Sequence, residues 1–188
     1  MENKNNVESI VLGSGKLYFD EFTGAIPENA TIETDAKLLG LIQGGATIEY
    51  KPEYYNAEDD FGLVQKTVVT KEEATLKSGI CTWNGNTLKT MCSTARVTET
   101  AEKRTVKIGG SGKDDGKLYV LRFVHKDAKD GDVRLTIVGK NQSGFSLAFL
   151  KDKETVIDAE FKAAPHDTDG TLIIYEETIP QEEPPLEG

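Results

Sequence analysis

Little in this sequence is suited to cross-linking, to crossing a membrane or to gripping a polyanion. Its 188 residues contain two cysteines, Cys81 and Cys92, too few for a disulfide framework. A reducing cytoplasm is the simplest setting, and the sequons at Asn29 and Asn141 then carry no sugar. No apolar run approaches the roughly 18 residues that span a bilayer. The stretch Met1–Ser9 has neither an apolar h-region nor a small-residue cleavage site, so no signal peptide is expected. Basic residues are outnumbered 22 to 32, for a net charge of −10. Such a chain lacks the basic face that neutralises phosphate, and it is repelled by anionic membrane. Aromatics make up 7%, with one tryptophan, which argues against a sugar-binding cleft.

Catalytic patterns are missing as well. His125 and His166 are the only histidines, and neither belongs to an H-E-x-x-H pattern or to a Cys/His set at metal spacing. There is no G-x-S-x-G elbow. Gly13-Ser-Gly-Lys16 and Gly110-Ser-Gly-Lys113 lack phosphate-loop spacing and read as turns before strands. The acidic stretch Asp127–Asp132 has Lys129 where a calcium ligand is wanted, so it reads as a solvated turn. No catalytic residue, metal ligand or cofactor is expected, and the chain is read as a non-enzyme.

What the sequence does have is alternation. Ala46, Ile48 and Tyr50 alternate with polar neighbours, as do Val133, Leu135 and Ile137. The same holds for Phe145, Leu147 and Phe149, and for Ile157, Ala159 and Phe161. A period of two lays one face on a core, and clusters of Gly and Asp separate the runs. Short punctuated strands predict a mainly β, antiparallel sandwich or barrel. Cys81 is placed in a strand with Ile80. One segment breaks the pattern: Leu88, Met91, Cys92 and Ala95 fall at i, i+3, i+4 and i+7, which predicts a helix over 86–95 with Asn86 as N-cap. Cys92 then faces the core as a small hydrophobe.

Two strand-like runs, Ala46–Tyr55 and Leu63–Thr70, flank the acidic stretch Asn56–Gly62. They form a long hairpin or an extended loop over about 54–66. Tyr54, Tyr55 and Phe61 beside Asp59, Asp60 and Lys66 suit a docking loop. They suit equally a solvated turn whose aromatics fold back. A single domain over 1–179 is expected, followed by an acidic, proline-rich tail, 180–188, that buries too little to order itself.

Four stretches carry a family resemblance: Val11–Phe19; Gly44–Pro52; Glu73–Gly79 running into Thr82–Asn86 and the helix; and Asp158–Ala164 followed by Gly170–Ile173. In their pattern and order the chain resembles the major tail tube proteins of long-tailed bacteriophages and prophages of Gram-positive bacteria. The resemblance implies an antiparallel β-sandwich tail tube fold with one flanking helix and a long inter-ring loop. Six subunits form a ring, rings stack into a tube, and Tyr54, Tyr55, Asp59, Asp60, Phe61 and Lys66 fall in the inter-ring contact loop. The implied partners are further copies of the chain, a tape-measure protein, terminator and initiator proteins, and DNA passing through the lumen without specific binding. The implied location is the virion tail, assembled in the host cytoplasm, with no membrane contact. A tube subunit of a contractile tail or tail-like particle is the alternative, and a surface-adhesion β-domain a more distant one.

Overall fold

The computed structural model describes residues 14–128 and 131–179. The expected tail, 180–188, and the first three residues of the Val11–Phe19 stretch, up to Gly13, lie outside those residues. The chain is mainly β and antiparallel throughout. In chain order the strands are β1 (Lys16–Glu21), β2 (Leu38–Gly40), β3 (Ile42–Glu58), β4 (Gln65–Ile80), β5 (Arg96–Glu99), β6 (Arg104–Lys107), β7 (Tyr119–His125), β8 (Val133–Asn141), β9 (Ile157–Ala163) and β10 (Ile174–Glu177). A single turn of helix, α1 (Asn29–Ile32), follows β1, and helix α2 (Gly85–Met91) follows β4. Eight strands join in the order β2-β1-β7-β8-β9-β4-β3, with β10 added on β8, while β5 and β6 form a separate hairpin.

The sheet forks at β8. Its first half, Val133–Thr136, pairs with β10, whereas Gly139–Asn141 pairs with β9 at Phe161–Ala163. Only three residue pairs therefore link β8 to β9, and beyond that corner β9, β4 and β3 fold over β1, β7 and β8. Leu17, Leu121, Phe123 and Ile137 of one layer pack with Leu76, Ile80, Ile157 and Phe161 of the other. Gly139 makes the corner possible, because a Cβ there would stand 2.1 Å from the Lys162 carbonyl oxygen.

Strand β7 is buried along its whole length. Tyr119, Leu121 and Phe123 face the inter-layer core. Val120 and Val124 face a second cluster under Ile32, with Phe22, Ile26 and Leu38 at its margin. Arg122 lies between those valines in the strand, with only 2% of it exposed. Its Nε donates to Thr136 Oγ1 at 2.9 Å and its guanidinium to Asn29 Oδ1 at 2.5 Å. Glu33 stands 4.0 Å away and is held more closely by Arg134 at 2.6 Å. Burial pushes the Glu33 carboxyl up, but Arg134 and Lys126 outweigh it, and the net value is below the ordinary one. Buried charge of this kind persists when its hydrogen bonds are met.

Three expectations need correction. Helix α2 spans Gly85–Met91 rather than 86–95, and its N-cap is Asn84 rather than Asn86. The Asn84 side chain accepts from Asn86 N at 2.8 Å and Thr87 N at 3.4 Å, while the Asn84 backbone N–H donates to Thr87 Oγ1, completing a capping box. The helix stops because Cys92 turns extended, with φ −137°. Met91 and Ala95 are still buried, and burial raises the half-buried Cys92 thiol above its usual range. The run Phe145–Phe149 forms no strand. The matching edge of β8 is already taken by β9 and β10, so Phe145 and Leu147 pack on the core without a ladder. Cys81 falls just past the end of β4, with its thiol donating to the Leu41 carbonyl at 3.1 Å.

Two expected outcomes follow. Gly139→Ala is expected to destabilise the fold by about 1–3 kcal/mol through overpacking at the corner, read by urea unfolding; unchanged stability would mean the corner has room to spare. Glu33→Ala, which takes the nearest carboxylate from Arg122 and leaves Arg134 only Asp132, is expected to cost about 1–3 kcal/mol. Arg122→Met, which fills the site with apolar volume, is expected to lower the melting temperature less. The reverse order would contradict this account.

Candidate functional site

The long β3–β4 hairpin leaves the body of the protein. Strand β9 pairs with β4 only from Thr75 to Ile80, so beyond Ala74 the two strands are a ribbon with no third member among the described residues. Every residue from 53 to 72 is exposed. At ~3.3 Å per residue, the stretch from Tyr50 to Glu58 carries the arm roughly 25 Å outward. Pairing is continuous to Glu58↔Gln65, with bulges between Gln43 and Ala46 and between Glu53 and Tyr54. The first bulge contains Gly44 and Gly45, both at positive φ with open space where a Cβ would stand, a conformation that glycine adopts freely.

The tip is closed by Asp59. Its Oδ1 accepts from Val64 N at 2.7 Å, and its backbone N–H donates to the Val64 carbonyl at 3.1 Å. Gly62 supplies the left-handed residue, with φ +67°. The hydrogen bond from Val64 N holds the Asp59 carboxyl below its usual range. Asp59 is thus the internal brace of the turn, while Asp60 and Phe61 stand at its outside. Phe61 is 85% exposed and Leu63 82%.

The two faces of the arm differ. Ile48 and Leu76 share the core face of the ladder, as do Tyr50 with Ala74 and Tyr54 with Val69. That row begins in the core at Leu76 and runs out into solvent at Tyr50, Tyr54 and Val69. The opposite face begins with ions. Lys77 and Lys51 flank Glu49 at 3.1 and 3.2 Å. Lys71 and Lys162 flank Glu73 at 2.7 and 3.0 Å, and Lys71 also reaches Glu53. Farther out, Tyr55 lies opposite Val68, and Ala57 opposite Lys66. Tyr54 and Tyr55 therefore point to different sides, and Lys66 shares the side of Tyr55. Sequence reasoning passed over Leu63, Val64, Val68 and Val69, all exposed on the arm. Their apolar character, β-branched in the three valines, reads as core strand, and no signal in the residues marks them as lying beyond the core.

Elsewhere, a groove of about 630 Å³ runs between β1 and α2, lined by Phe19, Asp20, Trp83, Asn84 and Tyr119 among others. Neither histidine lines it. His125 Nδ1 contacts the Ser14 carbonyl at 2.8 Å, and His125 Nε2 and His166 Nδ1 are buried without a partner. Among the described residues no three His, Cys, Asp or Glu side chains converge as a metal site, and no helix is long and apolar enough to cross a membrane. No known family model matches the chain, and no curated protein aligns with it significantly.

The ion pairs at the root of the arm have a measurable signature. The hydrogen bonds from Lys71 and Lys162 hold the Glu73 carboxyl at about 2, well below its ordinary 4.5. A depressed carboxyl stabilises the fold fully above the unfolded value and loses that contribution as pH falls through the folded one. Glu73 is partly exposed, so the effect is expected to weaken in salt. NMR titration of the Glu73 carboxyl is expected to show it ionised down to about pH 2. Lys162→Ala is expected to shift it back toward 4.5. An ordinary titration in the unaltered protein would contradict the geometry.

Proposed function

We propose that the chain is a structural subunit of a bacteriophage tail tube, assembling with copies of itself into stacked hexameric rings that conduct DNA. The observation that carries this reading is the hairpin arm. A two-stranded ribbon of exposed Tyr54, Tyr55, Phe61, Leu63, Val64, Val68 and Val69 gains little from folding alone, and large apolar side chains exposed on both faces and at the tip suit an interaction surface. The resemblance in sequence supplies the identity of the partner, a second subunit in the neighbouring ring.

Two further features support it. Strand β3 has β4 on one side and, among the described residues, no strand on the other. That leaves a 17-residue edge, and an edge of such length invites pairing with another chain. Pro52 within it is tolerated because an edge strand has no ladder bond to lose there. The net charge is also suitable. Six copies at −10 each carry −60, which disfavours adhesion of phosphate to the tube wall. On this reading the protein resides in the virion tail, and tape-measure, terminator and initiator proteins are its other partners. No step of catalysis is assigned to it.

Shortening the hairpin tests the proposal. Replacing residues 54–70 by Asn-Gly closes the ladder at the Glu53–Lys71 pair with a favourable turn. The expected outcome is a subunit that keeps its melting temperature within a few degrees but forms no tubes by negative-stain electron microscopy. Tubes of normal length from the shortened chain would remove the arm from assembly.

A further inference from the structure

A scarcity of aromatics argues against a sugar-binding cleft only while they are scattered. The fold gathers three of them, the single tryptophan included, along one groove. Phe19, Trp83 and Tyr119 line the cleft of about 630 Å³ between β1 and α2. That volume falls within the ~300–1,000 Å³ usual for small-molecule sites. The walls are braced. Thr87 Oγ1 donates to the Leu39 carbonyl at 3.2 Å, which ties α2 to β2, and Leu41 N donates to Thr82 Oγ1 at 2.6 Å. The Phe19 and Tyr119 rings stand 6.2 Å apart, tilted by 57°. Tyr119 is the unusual member. Only 8% of it is exposed, and among the described residues its hydroxyl has no hydrogen-bond partner. A buried phenol ordinarily finds one. Burial raises that phenol above its usual range, so it stays protonated and able to donate.

Three more groups at the groove are free. The side chains of Asp35, Asn86 and Lys89 are exposed there and make no hydrogen bond or ion pair among the described residues. The other charges are already paired, Asp20 with Lys37 and Glu21 with Lys117, each at 2.5 Å. What remains is one carboxylate, one ammonium, an amide and a phenol around aromatic walls, with no surplus of either sign. We propose that this groove binds a neutral saccharide ring. An anionic ligand would meet Asp35 without an excess of cations to offset it. A purely apolar ligand would cover the Tyr119 hydroxyl and leave it unsatisfied. A sugar ring answers both. Its C–H face lies on the negatively polarised face of an aromatic ring. Its hydroxyls, each both donor and acceptor, meet the Tyr119 hydroxyl, the Asn86 amide, Asp35 and Lys89.

Trp83 is the only tryptophan, so its fluorescence reads the groove directly. The probes are the methyl glycosides of glucose, galactose, mannose, N-acetylglucosamine and N-acetylgalactosamine, titrated into the full-length protein. At least one is expected to give a saturable change in emission. Tyr119→Phe removes a hydroxyl that holds nothing in the fold, and Asp35→Ala removes an exposed carboxylate, so both variants are expected to melt like the unaltered protein. Each is expected to weaken binding about two- to tenfold, as the loss of one hydrogen bond does. Binding unaffected by either change would place the sugar elsewhere and overturn the assignment. No saturable change with any glycoside at tens of millimolar would overturn it as well. Saturation by the dipeptide glycylleucine alone would give the groove to a peptide, whose two termini match Lys89 and Asp35. Saccharide binding is separate from stacking. Tubes formed by protein that binds no glycoside would leave the tail tube reading standing, and glycoside binding by protein that forms no tubes would leave this one.

Discussion

The structure depends on how far a β-ladder can run past the core that supports it. Strands β3 and β4 are anchored over six residue pairs by β9, from Thr75 to Ile80, and sealed by Leu76, Ile80, Ile157 and Phe161. Beyond Ala74 no third strand joins the ladder among the described residues, and it continues for nine residues of β4 on backbone hydrogen bonds, cross-strand pairs and a braced turn. Ribbons of that kind are marginal in water. Their retention is intelligible when the exposed row of Tyr50, Tyr54 and Val69 continues, in a partner, the burial that Leu76 begins at home.

The body is arranged to keep that arm in register. The fork at β8 gives the sheet two layers from one strand, so β9 is fixed from both sides, by Gly139–Asn141 at one end and β4 at the other. The opposite face of β7 is covered by the α1 segment, pinned through Arg122, Arg134 and Glu33. Buried ion networks of this type add little net stability but penalise alternative packings. A displaced α1 would take Asn29 and Glu33 from the Arg122 guanidinium and leave it the Thr136 hydroxyl.

The alternation of Ile48 with Tyr50, of Val133 with Ile137 and of Ile157 with Phe161 was legible as strand, because each run has one dry face. Phe145–Phe149 alternates equally well and is no strand, since pairing depends on a free neighbouring edge that sequence does not display. The α2 stripe was legible through Leu88 and Met91 but overran its end, because Ala95 reaches the core through a turn at Cys92 rather than another helical turn. Asn86 looked like the cap because it directly precedes Thr87, yet the capping box requires a residue three positions before Thr87, which is Asn84. In the arm, the aromatics and acids at 54–61 stood out against their polar surroundings. Leu63, Val64, Val68 and Val69 did not, because an exposed apolar strand and a buried one are written in the same residues. The buried Arg122 was equally hidden, since only the fold brings Asn29, Glu33 and Thr136 around it.

The direction of the β4–β9 pairing has a mechanical consequence. Antiparallel hydrogen bonds lie perpendicular to their strands. A pull on the arm along its own axis therefore loads the rungs from Thr75↔Lys162 to Ile80↔Ile157 side by side, and they must slide together to yield. A sideways pull would instead open them one after another, like a zip. The body is thus stiff against tension along the arm and comparatively compliant to bending at its root, where β4 loses its β9 neighbour beyond Thr75. A column of such subunits would resist stretching while still being able to curve.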